Sequence, residues 1–366
     1  MRKTPLVVAA VAALVSLAGI TLHAAYWYTQ VVASGGPLGF GYFNATALQH
    51  GTGFVHVAYS DGDRDDVKLS WWTGVAWQTQ TVDGGRNVAR GIDLAFNASN
   101  QPAVSYAGDA LKFAERSGSS WTIKTVESGA RNDVTSVKYF NGQPSISYYV
   151  TSQSKKEPAV TTLKLASRNG TAWTTAAVAQ GVRYSSLAFD SLGHPAIAYA
   201  GDRNGDSYAD SLRLARKVGT AWQVTTIDDS SGAGTWARLA FDQAGLPVIV
   251  DSPTSVGIVR FWYQGAGGAW TVEQIGAGFR PALVVHQGVP IVTYVTPDGY
   301  GLIVARRDPS AGWSGVIAAA AGFGYIGQSS LSVPYGTGGE PAVAYVVDIF
   351  GINASRTLWF ASPPGY

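Results

Sequence analysis

The chain contains no cysteine and a single methionine in 366 residues. That removes thiol nucleophiles, Cys-ligated zinc, iron–sulfur clusters and disulfide staples together, although a core of this size needs no staples. Charge is scarce as well. Asp, Glu, Lys and Arg make up 14% of the residues, against about a quarter in an average soluble domain. Lys and Arg number 26 against 24 Asp and Glu, and Arg2 and Lys3 account for the whole excess. The remainder is formally neutral and lacks the basic footprint that a phosphate backbone requires, so nucleic acid is not expected as a partner. The five histidines (His23, His50, His56, His194, His286) form no HExxH pair, and no GxSxG, P-loop or Rossmann glycine pattern occurs.

Long apolar runs are absent except at the N-terminus. Met1-Arg2-Lys3 precedes an uncharged stretch over residues 5–22, with Ser16-Leu17-Ala18 or Leu22-His23-Ala24 as a small-residue cleavage site. Residues 1–25 therefore read as an export signal, with a retained anchor as the alternative. The expected location is secreted, periplasmic or at the cell surface, with no membrane contact beyond this segment. Without cysteine a lipid-anchored lipoprotein is excluded.

Glycine and aromatics are what the chain has in quantity: 44 Gly, 12 Trp, 18 Tyr and 13 Phe, a composition suited to short strands joined by tight turns. They are arranged in a repeat. Trp27, Trp77, Trp121, Trp173, Trp222, Trp270 and Trp313 follow one another at spacings of 50, 44, 52, 49, 48 and 43 residues. Each begins an alternating segment such as AWQTQTVDGG, SWTIKTVESG or AWQVTTIDDS, which has the period of a half-buried strand. Three further strands precede each Trp, most clearly SSLAFD at 185–190, PAIAYAG at 195–201 and SLRLARK at 211–217. Four strands in roughly 48 residues is the arithmetic of a β-propeller blade.

Second strands number seven, from FVHVAYS at 54 to PAVAYVV at 341, but the last repeat ends without its Trp strand. The segment 26–32, YWYTQVV, is a Trp strand without a repeat. The expected fold is thus all-β: residues 26–366 form one seven-bladed propeller of four-stranded antiparallel blades, with the N-terminal strand completing blade seven and removing the open edges.

The repeated text, SSLAFDSLGHPAIAY with GTAWQVTTID, resembles that of secreted bacterial propellers of the sialidase-like, Asp-box-related superfamily. Their Asp box reads Ser-x-Asp-x-Gly-x-Thr-Trp. Here Ser167-Arg168-Asn169-Gly170-Thr171-Ala172-Trp173 and Gly118-Ser119-Ser120-Trp121 keep the Gly and Trp and lack the Asp. The resemblance implies the propeller fold. Sialidases also hold their substrate with three arginines, and it directs attention to Arg90, Arg183 and Arg280 at the starts of inner strands, with Arg131 and Arg238 near the same level. Guanidiniums converging on the channel mouth would bind carboxylates; bonding to loop carbonyls or to Asp93, Asp133 and Asp190 is the alternative.

In this topology the b–c and d–a connections share one face. The long loops fall there, at 35–44, 61–66, 151–161, 202–210 and 347–356, so a glycan or protein ligand is expected on that face. The loop Asp202-Arg203-Asn204-Gly205-Asp206-Ser207-Tyr208-Ala209-Asp210 places oxygen side chains at positions 1, 3, 5 and 9. That spacing suits structural calcium held by Asp202, Asn204, Asp206 and Asp210, and it is similar to the calcium loop of FG-GAP propeller repeats, with Ser207 where a Gly is expected. A polar Asx turn is the other reading. Non-repeating aromatics on the ligand face are Phe40, Tyr42, Phe43, Trp236, Phe279, Phe323 and Tyr325, of which Trp236 and Phe279 join the arginines as candidate ligand contacts. The in-register Trp and Tyr residues are expected to pack between blades.

Carboxylates available to a glycosidase on this face are Glu127, Asp133, Asp228, Asp229, Asp251 and Asp298, but none pairs by sequence and no catalytic residue is nominated. Asp251 stands where other blades carry Tyr. The expectation is therefore an exported binding or scaffold module more than an enzyme. A sialidase-like or other polysaccharide-acting enzyme using the arginine-lined mouth is the first alternative, and a structural subunit of a surface assembly the second.

Overall fold

The computed structural model describes residues 21–363, apart from 24–26, 36–38, 50–51, 86–87, 89, 131–133, 153–159, 205–207, 323, 333–340 and 350–354. Seven antiparallel sheets of four strands surround a central channel, so the expected propeller is the observed one. With strands lettered a to d from the channel outward, blade 4 is Val182–Phe189, Pro195–Gly201, Ser211–Val218 and Ala221–Asp228. The inner pairs are longest buried: strand b of blades 1 and 2 (Val55–Asp61, Pro102–Ala107) is buried at every residue. Outer strands alternate, and the d strand of blade 4 exposes most of its length.

Blade 7 is assembled from both ends of the chain. Tyr28–Ser34 lies antiparallel on Ser355–Ser362, with Val31 opposite Trp359, and supplies the missing d strand. A hydrogen bond from Trp77 Nε1 to Gln30 Oε1 (3.1 Å) links this strand to blade 1. One feature was not anticipated. Thr21–His23, inside the segment read as export signal, adds a short parallel fifth strand to the outer edge of blade 6, beside Gly312–Ala320.

The core is not one mass but seven clusters, each between neighbouring blades, and each receives one repeat Trp. Trp77, Trp121, Trp173, Trp222, Trp270, Trp313 and Trp27 pack in seven different clusters. The repeat spacing thus reflects a packing requirement, since every blade must cover the apolar face of the one before it.

A second repeated device is polar. A carboxylate at the end of one blade's d strand receives a strand-b tyrosine and a strand-c cation from the next blade. Tyr106 Oη and Lys112 Nζ each donate to Asp83 Oδ2 at 2.8 Å, and Tyr148 and Lys164 donate to Glu127. In blade 5 Asp251 replaces the tyrosine, and Arg260 bridges it to Asp228. Asp251 also accepts from Trp262 Nε1 (3.0 Å) and from the Gly234 amide (2.9 Å). Burial pushes the Asp228 carboxyl upward, but hydrogen bonds from Ser230 and Arg260 outweigh it and hold its pKa below the usual range. The exceptional Asp251 is therefore an inter-blade staple, fully buried and saturated.

Two outcomes are expected. Deleting Tyr28–Ser34 opens blade 7 and lowers the melting temperature by more than about 10 °C; an unchanged scan would show that closure lies elsewhere. Asp251→Ala leaves Arg260 and Trp262 short of partners and costs about 3–5 kcal/mol in urea unfolding.

Candidate functional site

The inner strands do not run straight into the channel. In blades 2, 4 and 6 the a–b register slips at the entry, between Arg90 and Asp93, Arg183 and Ser185, and Phe279 and Ala282. The residue at the slip takes a left-handed conformation: Gly91 (φ 53°), Tyr184 (48°) and Arg280 (57°), with Trp236 (59°) at the matching place in blade 5. Glycine adopts this conformation freely, whereas a bulky L-residue loses on the order of 1–3 kcal/mol. Three consecutive blades therefore hold large side chains in a backbone state that favours glycine.

Those three side chains touch. The Tyr184 and Trp236 rings lie 4.8 Å apart at 40°. The Arg280 guanidinium sits 5.6 Å from the Trp236 ring and donates to the Gly327 carbonyl. Strain is tolerated at a spot where it aims a row of Tyr, Trp and Arg into one space.

Two residues beyond the slip, the repeat carries an inter-blade hydrogen bond. Asp93 Oδ2 accepts the Val137 amide (2.8 Å), Ser136 Oγ accepts Leu187 N (3.2 Å), and Ser186 Oγ accepts Leu239 N (3.0 Å). Blade 5 has Arg238 at this position. Its Nη1 donates to the Ala237 carbonyl (3.0 Å). Desolvation lowers its pKa, opposed by the charge of Asp93 and by Tyr184. An arginine here gives up a structural bond and places a desolvated cation at the channel.

These residues border a cavity of about 470 Å³ at the channel mouth, with contributions from all seven blades. Lys138, Arg183, Arg238 and Arg280 line it, and among the described residues Asp93 is its one carboxylate. Asp93 is already engaged by the Val137 amide and by Lys138 Nζ at 3.2 Å. Among the described residues no carboxylate lies within 4.0 Å of Arg183, Arg238 or Arg280, whereas Arg260 and Arg307 form ion pairs at 2.5–2.7 Å. The cavity is an anion-seeking space with aromatic walls at Tyr149, Tyr184 and Trp236.

Of the residues proposed from sequence, Arg183, Arg280 and Trp236 line this cavity; Arg90 and Phe279 do not. Arg90 and Arg183 precede the slip while Arg280 occupies it. Phe279 instead leans on the turn at Gly257, whose Cβ would lie 3.2 Å from its ring. Arg131, Asp133, Asp206 and Phe323 lie outside the described residues, as do the side chains of Phe40 and Tyr42. Tyr184 was not named from the text, while Arg238, placed there near the level of the three named arginines, also lines the cavity. Aligning the repeats on the strand-b tyrosine would have exposed both as exceptions.

The remaining candidates have structural partners. Both Asp210 oxygens accept the Arg203 amide (3.1 and 3.0 Å), and Arg203 also pairs with Asp229 at 3.3 Å. Among the described residues no group of three His, Asp or Glu side chains could hold a metal ion; of the expected calcium ligands, Asp202, Asn204 and Asp210 are described and Asp206 is not. Glu127, Asp228 and Asp251 belong to the inter-blade staples, and Asp298 holds its own turn through Thr296 and Tyr300. Among the described residues no histidine lines the cavity. His56 is packed between Trp71 and Phe96, where burial pushes its pKa down to about 4.

No protein-family model and no curated protein matches the chain. Solved structures do. A PL25 ulvan lyase superposes with a TM-score of 0.63 at 11% identity, covering 89% of this chain and 93% of its own. The polysaccharide lyase Uly1 gives 0.56 at 9% identity over 87% and 89%. The α-L-arabinofuranosidase Arb93A of Fusarium graminearum gives 0.50 at 12% identity over 91% and 97%. At such identities the likeness speaks to the fold alone, a seven-bladed β-propeller. The neighbours are nonetheless carbohydrate-active enzymes, and the expectation of a binding or scaffold module without activity is corrected accordingly.

Backbone strain and ring contacts are both present at Trp236. Trp236→Gly relieves the left-handed strain while losing one ring contact and one cation–π contact, so urea unfolding should change by less than about 1 kcal/mol. Trp222→Ala, at a repeat packing position, should cost about 3 kcal/mol. Equal losses in both variants would make Trp236 a packing residue.

Proposed function

We propose that this protein is an exported polysaccharide lyase that cleaves a uronate-containing glycan by β-elimination in the channel-mouth cavity. The observation that carries this reading is the charge of the lining: four cations face one carboxylate that is already engaged. Hydrolysis of a glycosidic bond ordinarily uses two facing carboxylates, and the described lining offers only Asp93. Elimination needs instead a cation to hold the uronate carboxylate and a group to move one proton. The names of two structural neighbours, both polysaccharide lyases, agree with it.

Arg238 is assigned to the uronate carboxylate. A guanidinium binds it bidentately and stabilises the negative charge that grows on the carboxylate when the adjacent C5 proton leaves. Tyr184, within the electrostatic reach of Arg238, is assigned the proton transfer. As phenolate it takes the C5 proton; that bond's electron pair forms the C4=C5 double bond; the C4–O bond breaks, and the leaving oxygen receives the proton from Tyr184. The tyrosine ends as it began and no further reactant is consumed. Trp236 offers a ring face to the sugar, and Arg183 and Arg280 flank the bound chain with positive charge. The apolar segment at 5–22 and the basic residues before it support action outside the cytoplasm.

The test is incubation with polygalacturonate, alginate and hyaluronan, with a neutral β-glucan as control, following the ultraviolet absorbance of the new conjugated double bond. Unsaturated ends should appear from an acidic polymer only, and Arg238→Ala should lower kcat by about 100-fold or more. Saturated reducing ends would make the enzyme a hydrolase, and no cleavage across the acidic panel would overturn the reading.

A further inference from the structure

Beside the cavity lies an aromatic feature that the chemistry above does not use. Among the described residues the exposed aromatic side chains are Tyr28, Phe54, Tyr208, Tyr300 and Tyr325, and of these only Tyr300 and Tyr325 stack on one another. Their centroids are 5.0 Å apart at 27°, and the two hydroxyls meet at 3.3 Å. They remain 42% and 45% exposed. An exposed pair of this kind presents aromatic surface to water.

The pair is built rather than incidental. Tyr300 sits in the b–c turn of blade 6, and that turn is closed by its own hydrogen bonds. Thr296 N donates to Gly301 O and Gly299 N to Thr296 O, both at 2.9 Å. Asp298 Oδ1 accepts Thr296 Oγ1 (2.6 Å) and the Tyr300 amide (3.0 Å). Those two bonds hold the Asp298 carboxyl below its usual pKa, so it stays ionised and keeps accepting. Two backbone bonds then tie the turn to the entry of blade 7: Ala321 N to Tyr300 O (2.8 Å) and Ile326 N to Gly299 O (2.7 Å). Gly299 (φ 78°) is required for the contact, because a Cβ there would lie 2.8 Å from the Tyr325 ring. Both tyrosines are therefore held in place before any ligand arrives, which limits the ordering cost of binding.

Its position connects it to the site. Tyr325 opens the inner strand Tyr325–Ser332, and Gly327, two residues on, both lines the cavity and accepts from Arg280. Two residues of strand span roughly 7 Å, so the tyrosine pair borders the Arg280 side of the cavity on the long-loop face. A chain leaving the cavity past Arg280 meets this face next.

We infer that Tyr300 and Tyr325 form an outer subsite that stacks a pyranose ring of the polymer neighbouring the unit bound in the cavity. The inference rests on the reading of the cavity as a polysaccharide site, and it adds a determinant of chain length: polymer binds through cavity and platform, short oligosaccharide through the cavity alone.

The experiment is gel retardation of wild type, Tyr300→Ala, Tyr325→Ala, Tyr300→Phe and Arg238→Ala in polygalacturonate, alginate, hyaluronan and neutral β-glucan, with cleavage kinetics on polymer and on trisaccharide. Both alanine variants should bind the retarding polymer about tenfold more weakly and raise KM on polymer by a similar factor. Their kcat, and their kcat/KM on trisaccharide, should match wild type, and Tyr300→Phe should bind within about twofold of it. Melting temperatures within about 2 °C of wild type exclude a folding defect for these exposed positions. If the alanine variants are retarded like wild type, or no polymer retards wild type, the subsite is overturned. If retardation depends on both tyrosines while no polymer is cleaved, the lyase reading fails and the subsite stands.

Discussion

The pairing of Tyr28–Ser34 with Ser355–Ser362 is the contact on which everything else in this molecule depends. A blade has one apolar face too many to be stable alone, and a linear array of blades would leave two uncovered. Joining the ends into one sheet closes the ring, gives every blade two neighbours and turns the inner strands toward a common axis. Seven inter-blade clusters, each with its own Trp, then stabilise the ring without any disulfide.

Closure also explains why the stabilising devices and the site are arranged as they are. The Trp contacts and the ionic staples at Asp83, Glu127 and Asp228 are carried by strands b to d, away from the axis. The entries of the inner strands are released from most of that task. There the chain holds Tyr184, Trp236 and Arg280 in left-handed conformations and replaces a hydroxyl bond with Arg238. A scaffold that is over-determined at its periphery can keep strained and uncompensated groups at its centre, which is where they can act on a ligand.

Much of the fold was legible beforehand because a propeller writes its packing into a period. The Trp spacing, the proline-led second strands and the seventh repeat's missing strand all reported real elements. The outer-face hydrogen bonding was less so: Asp251 looked like an anomaly in text and proved to be the acid of a buried staple with Arg260 and Trp262. The arginine cluster was half legible. Arg183 and Arg280 reach one cavity, but Arg90 does not, although Arg90 and Arg183 hold the same place before the slip. The expectation of a binding or scaffold module rested on the lack of a carboxylate pair in the text, whereas the cavity is distinguished by its cations.

By itself, then, the sequence determined the architecture: strand period, blade number, closure by the N-terminal strand and the identity of the packing Trp residues all follow from local alternation and repetition, which act at short range along the chain. Which of the candidate residues share one cavity was decided only by the tertiary structure. The backbone slips that aim Tyr184, Trp236 and Arg280, and the convergence of groups from seven blades on one cavity, depend on register between strands and on distance across the ring, and neither is a property of any segment read alone.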